Sequence, residues 1–374
     1  MSTSRTARRV LQFCHGYDGP FLDCARQYAA LFDGTDYQVT TVFLTGKKDQ
    51  QVADKCQSAE VLFMEYSSAN IRGLKLKAIR ELRQIARERD FSFCIAHRSK
   101  PTYIACLATN LPVIGVHHAF GDFERLGRKL FARVFRSRLH LLAVSDAVRE
   151  DIRSCLPGWP RERIQTLHNR IDVEAVSDAL VSRGEARRTL KLPDNAWVVG
   201  NVGRLHPDKD QATLVEGFAK ALPALPPQAL LVIMGVGRLE SKLKALVQSL
   251  EIEDRVVFTG QVPDARQYFK AFDVFALTSD HEPFGMVLLE AMAAGNALIC
   301  SDCGGGPEVV GDIGCLFPFG DATSLAATLL RCAGYDAEQL AMLGQQANER
   351  LTLLFSDTAA QRRFWQLPVT APYK

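Results

Sequence analysis

The feature that most constrains this chain is a twice-repeated alternation of short apolar runs and amphipathic segments. An apolar run of roughly four to eight residues between polar turns predicts a buried strand, whereas apolar residues recurring at helical spacing predict a helix. Strands that alternate with helices build a parallel sheet covered by helices on both faces. The chain is therefore predicted to be an α/β protein.

The predicted elements fall into two series. The first series has strands at residues 10–15, 37–44, 61–65, 91–96, 113–117 and 141–144, and helices at 21–32, 74–89, 102–109 and 123–136. The second series has strands at 197–202, 229–234, 255–259, 274–278 and 297–300, and helices at 211–221, 239–250, 265–271 and 284–294. Each series is long enough for a doubly wound domain.

The length of 374 residues suits two domains of about 150–200 residues each. The polar segment 173–193 separates the two series, so we predict domains over residues 1–185 and 186–354. Residues 355–374 are predicted to form a C-terminal helix and tail that cross back to the first domain. The two domains are expected to face each other across a cleft, with ligands beyond the carboxyl ends of the strands.

Composition places the chain among soluble globular proteins, with 47% apolar and 23% charged residues. No run of about 18 apolar residues occurs, and the basic start is not followed by a signal-peptide core. We therefore expect a cytoplasmic protein. The ten cysteines are scattered, many in apolar runs, which is typical of buried, reduced thiols.

The formal net charge of +3 is unevenly distributed. Residues 1–185 carry 28 Lys and Arg against 21 Asp and Glu, a net charge of +7, whereas residues 186–374 carry 17 against 21, a net charge of −4. A basic first half favours an anionic partner, either a membrane surface or a phosphorylated acceptor, although such asymmetry also arises by accident.

The basic amphipathic segment 123–139 belongs to this first half. Its apolar residues could share one helix face; they are Phe123, Leu126, Leu130, Phe131, Val134 and Phe135. Basic residues surround that face; they are Arg125, Arg128, Lys129, Arg133, Arg136 and Arg138. The segment is either a helix lying on a membrane surface or an ordinary helix packing its apolar stripe on the core.

A pair of glutamates, Glu282 and Glu290, follows the predicted strand 274–278. If both lie on the predicted helix, they are about 12 Å apart along its axis. A diphosphate separates a sugar from a ribose by a comparable distance, so each carboxylate could bind the hydroxyls of one ring. The backbone N–H groups of Gly285 and Met286 would face the phosphates. Alternatively, the glutamates only complement the helix dipole and the solvent.

Two cations, Arg204 and Lys209, follow the predicted strand 197–202. They are expected at the carboxyl end of that strand, where ligands of doubly wound sheets bind. Fixed cations there could neutralise a diphosphate leaving group as charge develops on it. An Arg and a Lys in a loop are otherwise usually solvated.

The sequence segments that contain these residues, in their order and spacing, resemble glycosyltransferase family 4. The resemblance is specific over roughly residues 197–310 and rests on Gly203 to Leu205, Lys209, Gly235 to Gly237, Val257 to Gly260, Glu282 to Glu290 and Glu290 to Gly295. Bacterial lipopolysaccharide-core glycosyltransferases are the nearest comparison. The resemblance implies the GT-B fold, two doubly wound Rossmann-like domains with the acceptor side in the first and the nucleotide-sugar site in the second.

The resemblance also implies an activity. It implies retaining transfer from a nucleoside-diphosphate sugar, with a UDP-sugar favoured, to a glycolipid or oligosaccharide acceptor in lipopolysaccharide-core or other cell-envelope polysaccharide biosynthesis. No cofactor, metal or nucleic acid is implied, and peripheral contact with the inner face of the inner membrane is possible for such an enzyme. The alternatives are another GT-B enzyme, namely a sugar-nucleotide epimerase or phosphorylase, and a non-catalytic sugar-nucleotide-binding subunit.

The resemblance assigns roles in the second domain by position. Arg204 and Lys209 would hold the diphosphate. Glu282 would contact the donor sugar, and Glu290 would contact the ribose. Gly304 and Gly305, which precede Pro307 and Glu308, resemble a family loop near the phosphates.

In the first domain, two features match the family less closely. A glycine-containing turn with Gly16 and Gly19 follows the first strand and resembles a loop beside the reaction centre, or is a simple strand-to-helix turn. The pair His117 and His118 ends the strand 113–117. Alternation along the strand sends the two rings to opposite faces, so we assign His118 to the donor sugar or the acceptor. The alternative is a structural histidine.

Three other patterns are set aside. Asp208-Lys209-Asp210 has the form of a metal-binding D-x-D, but Lys209 is the family's phosphate cation and Asp210 suits a helix N-cap. Cys300 and Cys303 form a C-x-x-C without the second ligand pair of a zinc site. Gly235-Val236-Gly237 lacks the third glycine of a dinucleotide fingerprint, which argues against a dehydrogenase.

Overall fold

A computed structural model describes residues 7–19, 21–67 and 69–374. The chain divides into two compact units, one comprising Met1–Asn169 with Asp357–Lys374 and the other Arg170–Ser356. Among the described residues, no helix is both long enough and apolar enough to cross a membrane.

The first unit contains a seven-stranded parallel sheet. Its strands are β1 (Arg8–Cys14), β2 (Tyr37–Thr45), β3 (Glu60–Tyr66), β4 (Phe91–His97), β5 (Val113–His117), β6 (Leu139–Ala143) and β7 (Ile164–Thr166). The strand order is β3-β2-β1-β4-β5-β6-β7, and every neighbouring pair is parallel. The central strands are apolar almost throughout, because helices cover both faces of such a sheet.

The helices of the first unit connect these strands and include the C-terminal segment. They are α1 (Phe21–Ala29), α2 (Gln50–Lys55), α3 (Leu76–Arg87), α4 (Ser99–Ala108), α5 (Leu126–Val134), α6 (Asp146–Cys155) and, from the chain end, α15 (Asp357–Gln366). The last helix contacts both α1 and the turn after it. Arg26 of α1 forms an ion pair with Asp357, and Trp365 Nε1 donates to the carbonyl of Leu31 in the turn at 2.9 Å.

The second unit contains a six-stranded parallel sheet in the order β10-β9-β8-β11-β12-β13. Its strands are β8 (Trp197–Val202), β9 (Ala229–Met234), β10 (Val256–Gly260), β11 (Val274–Leu277), β12 (Ala297–Ser301) and β13 (Cys315–Phe317). Its helices are α7 (Val173–Ala179), α8 (Arg183–Thr189), α9 (Gln211–Ala221), α10 (Glu240–Ser249), α11 (Met286–Ala293), α12 (Gly306–Val310), α13 (Ala322–Ala333) and α14 (Ala337–Phe355).

The division between the units lies earlier than the predicted boundary at residue 185. Ile171 N–H already donates to the carbonyl of Phe355, and Val181 N–H donates to that of Gln267. The segment after Asn169 therefore packs on the second unit, although its polar composition suggested a connection between domains.

Three further local predictions were wrong or incomplete. Residues 265–271 form a 3₁₀ helix rather than an α-helix. The short strands β7 and β13 were missed, because three residues carry too little periodicity to predict a strand. The helix predicted from residue 284 begins at Met286, because Gly285 adopts the left-handed conformation with φ +97°.

Candidate active site

The carboxyl ends of β8 and β11 are neighbours in the second sheet, and the loops that follow them bring Lys209 and Glu282 together. Lys209 Nζ lies 2.5 Å from Glu282 Oε2, and both side chains are largely buried, at 21% and 13% exposed. Ser279 Oγ donates a second hydrogen bond to the same oxygen at 3.3 Å. The pair is therefore a fixed ion pair at the ligand-binding edge of the sheet.

Backbone contacts hold both loops in place. Thr278 Oγ1 donates to the carbonyl of Lys209 at 2.9 Å, and Asp280 N–H donates to the carbonyl of Asp208 at 3.1 Å. Ser301, the last residue of β12, donates through Oγ to the carbonyl of Ser279 at 2.6 Å. Three adjacent strand ends thus position the two charged side chains.

The glycine loop after β12 packs directly against Glu282. Gly305 N–H donates to the carbonyl of Glu282 at 2.7 Å. Gly304 has φ +65°, and a Cβ there would overlap the Glu282 backbone. A Cβ at Gly305 would overlap the carbonyl of Pro283. The loop therefore lies against the backbone of Glu282, and its expected place near the phosphates stays a prediction.

Glu282 does not lie on α11, contrary to the prediction. It is in the loop before Gly285, which caps the helix, so the estimate of 12 Å along a helix axis does not apply. Glu290 is within α11 and is partly buried. The first N–H groups of α11, beginning with Met286, lack acceptors within the helix and form a partial positive charge close to Glu282.

Arg204 is placed differently from Lys209. Its side chain is 72% exposed and lies 3.5 Å from a carboxylate oxygen of Asp208. Asp208 also pairs with His206 Nδ1 at 2.5 Å. Asp210 adopts a left-handed conformation and caps α9 by accepting from Thr213 N–H, as predicted for a cap. Arg204 is therefore an exposed cation beside Asp208, whereas Lys209 is largely buried against Glu282.

In the first unit, the turn after β1 contains Gly16 and Gly19. A Cβ at Gly16 would lie 2.7 Å from Thr45 Oγ1, and Thr45 donates through N and Oγ1 to the carbonyl of His15. Gly19 has φ +59° with open space around it. Gly16 therefore allows a close contact between the β1 and β2 ends, and Gly19 supplies a turn.

His117 and His118 diverge, as the strand alternation predicts. His117 is buried at 1% exposed, and its Nδ1 lies 2.7 Å from Asp122 Oδ2. Burial opposes ionisation of Asp122, but the hydrogen bond from His117, one from Ser99 and the charge of Arg128 lower its pKa to about 2. His117 is thus held by an ionised carboxylate and has a structural role.

His118 faces a different group of side chains. Its Nε2 lies 3.4 Å from His97 Nδ1, and Cys24 Sγ lies 3.8 Å from His118 Nε2 and 3.6 Å from His97 Nδ1. Burial, followed by the charges of His117 and Arg98, lowers the pKa of His118 to about 4, so its ring is neutral near pH 7. Sequence reasoning missed His97 and Cys24; the position of His97 at the end of β4 was the available signal.

The apolar residues of segment 123–139 divide between two faces, so the prediction of one shared face was wrong. Phe123 is buried. Leu126, Leu130 and Val134 are 81%, 65% and 67% exposed, and they follow one another at helical spacing along α5. Phe131 instead packs on Tyr103 of α4, with ring centroids 5.0 Å apart. The helix therefore presents an apolar stripe outward.

Two family models match the chain. "Glycosyltransferase Family 4" matches residues 24–175, and "Glycosyl transferases group 1" matches residues 182–350, so that together they span most of both units. The chain belongs to the family 4 glycosyltransferases. The two parallel-sheet units have the architecture of the GT-B fold.

Two relatives illustrate the match. N-acetyl-alpha-D-glucosaminyl L-malate synthase of Bacillus anthracis is 31% identical over 192 residues, covering 51% of this chain and 49% of that protein. Lipopolysaccharide core biosynthesis glycosyltransferase LpsE of Rhizobium meliloti (strain 1021) is 31% identical over 218 residues, covering 58% and 60%. The matched regions thus span about half to three fifths of these relatives.

A solved structure shows the same fold over nearly the whole chain. Anabaena Alr3699/HepE in complex with UDP superposes with a TM-score of 0.79 at 20% identity, covering 96% of this chain and 98% of that one.

Proposed function

We propose that this protein transfers a sugar, with retention of anomeric configuration, from a nucleoside-diphosphate sugar to a hydroxyl of a glycan or glycolipid. The observation that carries the proposal is the Lys209–Glu282 ion pair, fixed at the carboxyl ends of β8 and β11 and packed against Gly304 and Gly305. Family membership supplies the reaction class. The relative LpsE favours an acceptor in lipopolysaccharide core or another cell-envelope polysaccharide.

Lys209 and the start of α11 act on the leaving group. As the bond to the anomeric carbon breaks, negative charge grows on the diphosphate. A fixed ammonium stabilises that charge without reorganising, and the N–H groups of the first turn of α11 add partial positive charge. Arg204, on its exposed side chain, closes on the phosphates after the donor binds.

The carboxylates and the histidine position the sugars. Glu282 accepts hydrogen bonds from donor sugar hydroxyls, and Glu290 accepts them from the ribose. His118 is neutral, so it binds a sugar hydroxyl without adding charge. The attacking hydroxyl gives its proton to the leaving phosphate on the same face of the sugar, so no protein nucleophile is required.

The first unit also offers a surface for a lipid-linked acceptor. We define the α5 surface as Leu126, Leu130 and Val134 with the flanking cations Arg125, Lys129 and Arg133. Exposed apolar residues within a basic rim suit a bilayer that contains anionic lipid. Leu74 and Leu76, which are 67% and 61% exposed, extend this surface. Lys75, between them, lies over the ring of Tyr103, and that ring contacts Phe131 of α5.

Product analysis with a panel of nucleotide sugars tests the proposal. UDP-sugars are tested first, because they fit the lipopolysaccharide-core comparison and the HepE structure contains UDP. We expect one donor to raise the melting temperature and to yield a glycosylated acceptor with retained configuration. An isomerised donor formed without an acceptor would identify an epimerase instead. Donor binding without any product, over a broad acceptor panel, would identify a non-catalytic subunit.

A further inference from the structure

We propose that Cys24, His97 and His118 form a site for Zn²⁺ in the first unit. The three potential ligand atoms are Cys24 Sγ, His97 Nδ1 and His118 Nε2. They come from α1, from the last residue of β4 and from the residue after β5, so three separate elements converge on one point.

The distances among the three atoms match tetrahedral zinc coordination. Zinc binds thiolate sulfur at about 2.3 Å and imidazole nitrogen at about 2.0–2.1 Å, so tetrahedral angles put two nitrogens about 3.4 Å apart and sulfur about 3.6 Å from nitrogen. The observed separations are 3.4 Å between the nitrogens and 3.6 and 3.8 Å from sulfur. The three separations are therefore those that one tetrahedral zinc ion requires.

The types of donor also select zinc. One thiolate and two imidazoles are a soft and borderline donor set in a tetrahedral arrangement, which favours zinc over magnesium or calcium. Three protein ligands leave a fourth position for water or another ligand. Cys24 and His118 are partly exposed, which leaves a path for the ion, whereas His97 is buried.

The surroundings hold the ligands in this orientation. The ring of Tyr28 packs edge-on against His97, with centroids 4.6 Å apart. Phe21 packs edge-on against His118, and Arg98 lies 4.5 Å from the Phe21 ring centroid. The positive charge of Arg98 repels a dication, and the negative charge of the Cys24 thiolate offsets this repulsion.

Zinc at this site would inhibit the reaction, a consequence that depends on the proposed function. The ion would bind Nε2 of His118 and fix the ring that we propose binds a sugar hydroxyl. The site would thus couple transfer to the supply of free zinc. The binding itself does not depend on any role of His118 in catalysis.

Cobalt absorption and zinc dialysis test the site on the full chain. Co²⁺ with a thiolate ligand gives a sulfur-to-metal charge-transfer band, which we expect at one ion per chain and which Zn²⁺ should displace. Cys24→Ala should abolish the band and weaken zinc binding by at least about 10–100-fold. Cys155→Ala, which removes another partly exposed thiol, is the matched control and should keep both.

Two further results complete the test. His97→Ala should weaken zinc binding as Cys24→Ala does, and melting curves would show that each variant is folded. Zinc that binds Cys24→Ala as tightly as the unmodified chain would overturn the proposal. Stoichiometric zinc binding in a protein that shows no transfer with any donor would leave the site intact and reject only the proposed function.

Discussion

At the scale of single residues, the site depends on one largely buried ion pair. Removing one member of a buried pair leaves the other charged and poorly solvated, which costs about 3–5 kcal/mol when burial is complete. Lys209 and Glu282 are 21% and 13% exposed, so solvent screening reduces that cost. The pair therefore fixes the position of two charges, at a cost to stability on removal that is below the fully buried value.

Replacing Lys209 by Ala should lower kcat by roughly 10²–10³-fold, the usual effect of losing one fixed donor to a developing anion. Steady-state kinetics with the identified donor would measure it. Lys242→Ala removes an exposed lysine of α10 and should leave kcat unchanged. Unchanged turnover in a folded Lys209→Ala protein would remove Lys209 from the mechanism.

A second residue-scale prediction concerns His140 of β6. Burial, followed by the charge of Arg163, lowers its pKa to about 4. In the unfolded chain the imidazole of His140 gains a proton near pH 6.5, whereas in the folded protein it stays neutral until about pH 4. Folding stability therefore falls as pH drops from about 6.5 to 4. Denaturant melts should show a smaller loss of unfolding free energy over this range in His140→Gln.

The control is His281→Gln, which changes an exposed histidine. Equal pH profiles of stability for the unmodified chain and both variants would contradict the assignment to His140.

At the scale of elements, the loop after β12 sets the position of Glu282. The loop could be predicted to belong near the site because its residues resemble a family block. Its physical role follows only from the backbone contacts of Gly304 and Gly305 with the Glu282 loop.

Gly304→Ala should displace the Glu282 loop and lower both stability and donor affinity. The left-handed backbone alone costs of order 1–3 kcal/mol for a non-glycine residue, and the overlap with Glu282 adds to it. Gly320→Ala is a matched control, because Gly320 has φ +75° with open space around it. Chemical denaturation and donor titration would separate the two costs. Equal effects of both substitutions would show that the contact with Glu282 has no importance.

At the scale of the whole molecule, the excess positive charge lies on the first unit, which also carries the α5 surface. The first unit carries 29 Lys and Arg against 18 Asp and Glu, a net charge of +11, which agrees in sign with the cations of the α5 surface. Each basic residue near an anionic bilayer contributes about 1 kcal/mol, and that contribution is screened by salt.

Vesicle sedimentation tests this surface. The protein should bind vesicles of phosphatidylglycerol and phosphatidylcholine more than phosphatidylcholine alone, and binding should weaken as salt is raised. The double change Leu126→Ser and Leu130→Ser should reduce binding severalfold. Leu353→Ser removes a comparably exposed leucine, 66% exposed, from the second unit and should not. Equal binding of all variants would exclude the α5 surface as the contact.

The sequence alone predicted the two parallel sheets, which the structure contains, and it singled out Lys209 and Glu282 as candidate site residues, because apolar periodicity and local motifs are properties of neighbouring residues. Sequence reasoning misplaced Glu282 on a helix. The left-handed Gly285 caps α11, which therefore begins at Met286, after Glu282. Only the tertiary structure joined Lys209 to Glu282 and assembled Cys24, His97 and His118. Such contacts depend on which strand ends are neighbours in a sheet, and strand order is a long-range property that no local pattern encodes.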